Sequence, residues 1–143
     1  MIRSGREQNY AAGKDTGRYW EAGATNVHWV IVSDEQVKEG IAQAIERVEA
    51  PGVFVEGTSI LDFVHADLVL MVSRSNGGTI KGSARRALPL SSGIYLSNIN
   101  AEGADERSEF ALWRKTSGMD KLIGELPLYT RAELPELIAL VQK

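Results

Sequence analysis

The chain has 143 residues, 43% apolar and 24% charged, with no cysteine and a formal net charge of −3. That length suits one domain with a sizeable core, and the composition is that of an ordinary soluble globular protein. The charge gives no global pull toward nucleic acid or anionic membrane, and the lack of cysteine excludes disulfides, thiolate metal sites and a cysteine nucleophile.

Residues 1–12 are polar and without hydrophobic period, and are expected as a flexible arm with no secretory h-region. Asp15 is placed to cap a short helix over residues 16–21, with Gly23 as its stop. Residues 26–32 (N-V-H-W-V-I-V) read as a strand buried on both faces. Ser33-Asp34-Glu35-Gln36 has the form of a capping box, and Val37, Ile41, Ile45 and Val48 follow at helical spacing.

Pro51 and Gly52 end that helix, residues 53–56 (V-F-V-E) read as a strand, and Leu61, Phe63 and Val64 fall on a short turn or helix. Residues 67–73 (D-L-V-L-M-V-S) are a further two-sided strand, and residues 74–92 a long basic connection with two helical turns before Pro89. Residues 94–97 form the next strand and residues 104–116 a helix with Phe110, Leu112 and Trp113 as core candidates. Residues 126–129 are a last short strand, and residues 131–142 a closing helix on Leu134, Leu137, Ile138 and Val141.

Strands alternating with helices predict a single α/β domain over residues 1–143. Its expected form is a three-layer, mainly parallel sheet of four to five strands with helices on both faces. No apolar run is long enough to cross a membrane as a helix, and a cytoplasmic location is expected.

Glu56 is the leading catalytic candidate. A carboxylate at the carboxyl end of a strand sits where open α/β sheets bind ligands, and it can hold Mg²⁺ or orient an attacking water. Equally, it can cap a turn or pair with a nearby cation. Residues 77–83 (G-G-T-I-K-G-S) have two glycines at phosphate-loop spacing, but Ser83 and Ala84 stand where Lys and Ser or Thr are required. The loop is either a turn-rich connection or an anion site using Lys81, Arg85 and Arg86. His28 reads as a hydrogen-bonded core histidine. His65 and Asp67 have metal-ligand spacing without a third ligand.

Gly13-Lys14-Asp15-Thr16, then Glu21-Ala22-Gly23-Ala24 and an apolar strand, resemble the molybdopterin-guanine-dinucleotide biosynthesis protein B family. The V-F-V-E-G of residues 53–57 is similar to that family's V-E-G strand, and residues 67–74 to the strand after it. The resemblance covers residues 12–74. It implies a P-loop NTPase fold, GTP or ATP with Mg²⁺ as cofactors, and a supporting role in molybdenum cofactor assembly. It also implies Asp15 and Glu56 near magnesium, and Lys14, Thr16, Thr58, Arg74 and Asn98 near the nucleotide. The family's first strand and Walker A loop have no counterpart before residue 12, and the residues after Asn98 break the N-K-x-D guanine pattern.

Without the loop lysine, phosphoryl transfer loses most of its charge stabilisation, so hydrolysis by this chain is not expected. Three readings follow: a loop-less domain binding a nucleotide, a phosphate-type anion or a protein partner that supplies missing elements; an interaction protein that homodimerises through an exposed sheet edge; or the later part of an intact GTP-binding assembly protein.

Overall fold

The computed structural model describes residues 1–97 and 105–142. The chain divides into two compact units, Met1–Val64 and His65–Lys143.

The first unit opens with β1 (Ile2–Ser4) and α1 (Arg6–Asn9). The expected flexible arm is thus structured, because β1 pairs antiparallel with β2 (His28–Val30), Ile2 opposite Val30 and Ser4 opposite His28. The Ser4 hydroxyl and His28 Nδ1 lie 2.8 Å apart, which accounts for a half-buried histidine in an apolar run. Between the strands, α2 (Asp15–Glu21) starts after Lys14 rather than Asp15, and Asp15 does not cap it by side chain. Gly23, at φ 89°, ends the helix as expected.

β2 is shorter than the expected strand over residues 26–32 and is not buried on both faces, because it has one partner strand and turns Trp29 outward. Asn26 uses its side-chain oxygen on the Val27 and Gly5 amides, which removes it from the ladder.

The expected capping box at residues 33–36 does not form. Ser33 donates its hydroxyl to Glu35 at 2.9 Å, and residues Asp34–Gln36 make a 3-10 turn ahead of α3 (Val37–Ile45). Gly40 lets α3 approach closely, since a Cβ there would meet Val32 at 2.8 Å and Val30 at 3.1 Å. Residues 53–56 form no strand: a strand needs a neighbour to take its N–H and C=O groups, and within this unit none is paired to it. The first unit closes on a 3-10 turn, Ser59–Asp62.

The second unit holds a three-stranded parallel sheet in the order β3 (Leu70–Ser73), β4 (Gly93–Leu96), β5 (Leu128–Tyr129). The α/β class therefore stands. In place of one sheet of four to five strands, the described residues form this parallel sheet and a separate antiparallel pair. Its described residues also form helices α4 (Gly82–Ala87), α5 (Glu106–Thr116), α6 (Asp120–Ile123) and α7 (Leu134–Val141).

The core sits around central β4: Ile94 and Leu96 pack with Leu88, Phe110, Met119 and Ile123, and Met71, Trp113 and Leu128 cover the cluster. Of the core candidates on α5, Phe110 is buried and Trp113 half-buried, but Leu112 is exposed. On α7 only Leu137 is buried; Leu134, Ile138 and Val141 are exposed. β3, an edge strand, leaves Val72 69% exposed, so it is not buried on both faces. Among the described residues, no helix is long and apolar enough to cross a membrane.

Candidate functional site

Parallel sheets bind ligands beyond the carboxyl ends of their strands. In the second unit, the described segments at that edge are those leaving β3 and β5. After β3, Ser75 is buried and donates its hydroxyl to Glu109 of α5 at 2.6 Å. After β5, Thr130 donates both its backbone N–H (2.7 Å) and its hydroxyl (2.6 Å) to Glu133, closing a capping box ahead of α7. Arg107 of α5 adds a 2.8 Å ion pair to the same carboxylate.

These donors hold the Glu133 carboxyl at about 2, chiefly through the Thr130 hydroxyl and amide and then through Arg107. Because the folded value lies below the ordinary 4.5, this contribution to stability is complete above pH 4.5 and is lost as pH falls toward 2. Glu133→Gln is accordingly expected to lower the urea midpoint at pH 7 and to match the parent chain near pH 2. Denaturation series at the two pH values check this.

The connection from β3 to α4 carries the cations. Arg74 bridges to Gly77, whose amide donates to the Arg74 carbonyl at 2.9 Å. Gly77 takes φ 67° and lies flat against the Trp113 ring, so this glycine serves a turn and a packing contact. Ala87 is buried at one side of α4, which turns Lys81, Arg85 and Arg86 to the other, exposed side.

Lys81 and Arg85 are four residues apart, and Gly82 occupies the matching position above Arg86, whose Nη1 would lie 3.8 Å from a Cβ there. The last turn of a helix favours its two arginines electrostatically. Among the described residues, none of Arg74, Lys81, Arg85 and Arg86 has an ion-pair partner. Arg18, Arg107 and Arg114 are each paired to a carboxylate.

The candidates of the first unit gather around α2. Asp15 pairs with Arg18 at 3.6 Å, both well exposed, and Tyr19 donates its hydroxyl to Glu56 at 3.0 Å. Burial first, then the bond to Glu56 and the charges of Glu56 and Asp15, raise the Tyr19 phenol, so it stays a donor at neutral pH. Asp15 and Glu56 are thus brought to one side of α2 through Tyr19. Glu56 stands on an unpaired segment, not at the end of a strand.

Lys14 and Thr16 flank the start of α2, and Thr58 precedes the 3-10 turn at residues 59–62. Among the described residues, no three carboxylate or imidazole groups converge as a metal set. Asn98 lies outside the described residues.

The sequence reading missed Ser75, Glu109, Arg107 and Glu133. The T-R-A-E of residues 130–133 carries the capping-box pattern and was readable; the Ser75–Glu109 and Arg107–Glu133 contacts span 34 and 26 residues and have no local signal. No protein-family model, no curated protein and no solved structure matches this chain.

Proposed function

We propose that this chain binds a phosphate-type anion, free or as part of a nucleotide, without hydrolysing it. One observation carries the reading: the strip of Lys81, just ahead of α4, with Arg85 and Arg86 on it, is exposed and has no carboxylate partner among the described residues. Like charges at this spacing repel, and a polyanion laid across them relieves the repulsion through charge-assisted hydrogen bonds. Arg74 leaves the carboxyl end of β3, the edge at which such sheets take ligands, and is the fourth contact.

Hydrolysis is not part of the proposal. The sequence has no G-x-x-x-x-G-K-[ST] loop, and Glu56 accepts the Tyr19 hydroxyl. The finer reading of a P-loop-NTPase-like fold, with a guanine nucleotide, Mg²⁺ near Asp15 and Glu56, and a role in molybdenum cofactor assembly, rests on the sequence resemblance; the three-layer arrangement rests on the alternation of strands and helices, and the cytoplasmic location on composition.

Calorimetric titration with pyrophosphate, GTP and ATP, with and without Mg²⁺, tests the proposal. Binding is expected for all three, weakening with added salt, and Arg85→Glu with Arg86→Glu is expected to lower affinity at least about tenfold. Unchanged affinity in that double variant contradicts the proposal.

A further inference from the structure

Residues 52–56 (G-V-F-V-E) are an exposed apolar run without backbone pairing among the described residues. Val53, Phe54 and Val55 expose 54%, 79% and 50% of their surface. No backbone hydrogen bond joins residues 51–57 to another described residue. A β-branched and aromatic run with unpaired N–H and C=O groups is the chemistry by which chains add strands to one another.

We infer that residues 52–56 pair with the same residues of a second copy of this chain, antiparallel about a two-fold axis at Phe54. In that register Val53 faces Val55, Gly52 faces Glu56 and Pro51 faces Gly57. The ends of the ladder then coincide with the two residues that stop it. Pro51 has no N–H to donate, and Gly57 turns the chain with φ 133°.

Charge selects the direction. Parallel pairing in register sets the two Glu56 carboxylates side by side, about 5 Å apart, which like charges disfavour. Antiparallel pairing puts each carboxylate opposite a glycine and separates them by roughly 13 Å, four residues at strand rise. Tyr19 already holds Glu56 on its own protomer at 3.0 Å, leaving the apolar trio free for the partner. A ladder this short buries less than a standard interface, so the association is weak and concentration-dependent. The inference concerns the first unit and does not depend on anion binding.

The absence of cysteine makes the test direct. Facing Cα atoms in an antiparallel pair lie about 4.5–5.5 Å apart, inside disulfide range, so Phe54→Cys is expected to cross-link at least about tenfold faster than Glu56→Cys. A mixture of Val53→Cys and Val55→Cys chains is expected to cross-link faster than either alone. In sedimentation, Phe54→Lys is expected to abolish the dimer with the circular dichroism unchanged, since Phe54 is 79% exposed, whereas Val72→Lys on the β3 edge leaves it intact. Equal cross-linking of the Phe54 and Glu56 variants overturns the inference, as does a monomeric parent chain. So does a dimer that Val72→Lys dissociates and Phe54→Lys does not, because that dimer belongs to the β3 edge.

Discussion

Gly77→Ala is expected to destabilise the second unit by about 3 kcal/mol, from left-handed backbone strain together with overpacking. Gly77 holds φ 67°, where a side chain is strained, and an added Cβ runs into the Trp113 ring. Trp113 is not free to retreat. Its ring centroid lies 5.3 Å from that of Phe110, one of the largest fully buried side chains of the core.

The clash therefore passes to the centre of the core cluster. A double-mutant cycle separates the two contributions. In a Trp113→Ala background the ring is gone, and Gly77→Ala should then cost only about 1 kcal/mol of backbone strain. Urea denaturation followed by circular dichroism measures both. An equal cost in the two backgrounds would show that the ring contact is not what requires glycine.

Asn9→Leu is expected to cost about 3 kcal/mol, by leaving buried polar groups without partners. Asn9 is 5% exposed and donates its amide to the carbonyls of Val27 (2.6 Å) and Arg3 (3.1 Å). Its oxygen accepts the Trp20 indole N–H at 2.7 Å. One side chain thus joins β1, α2 and the start of β2. Leucine fits the volume but strands two carbonyls and an indole N–H.

The effect should be large because Val27 is the one buried large apolar residue of the first unit among those described. A polar hub does there what a hydrophobic cluster does in the second unit. Amide exchange checks it: protection across residues 1–30 should fall in Asn9→Leu, while protection in β4 and α5 is retained. Uniform protection in both units would contradict the role given to Asn9.

The second unit was largely legible in the sequence. The apolar runs at residues 67–73 and 94–97 become β3 and β4, and the spacing over residues 104–116 yields α5, because the hydrophobic period there marks the type of element even where, as at Val72, it does not mark burial. The first unit was not. Its amino-terminal segment is held by the Asn9 amide, which leaves no apolar pattern to read. Residues 53–56 have the composition of a buried strand, yet composition states a preference and not a partner, and pairing is non-local.

Leu112, Leu134, Ile138 and Val141 repeat the point for helices: helical spacing places them on an apolar stripe without deciding which part is covered. For the candidate site, the cations on α4 could be read from sequence, since they lie within six residues of one another. Their lack of carboxylate partners could not, because ion pairing is set by tertiary contacts such as those made by Glu109 of α5 and by Glu133 just ahead of α7. Glu109 is occupied by Ser75, and Glu133 by Thr130 and Arg107.

Amide chemical-shift mapping with inorganic pyrophosphate reads anion binding residue by residue. Saturable shifts are expected at Arg74 and across residues 81–87, diminished by added salt. Saturable shifts confined to residues 14–16 and 58, or none at all at millimolar pyrophosphate, would contradict the proposal.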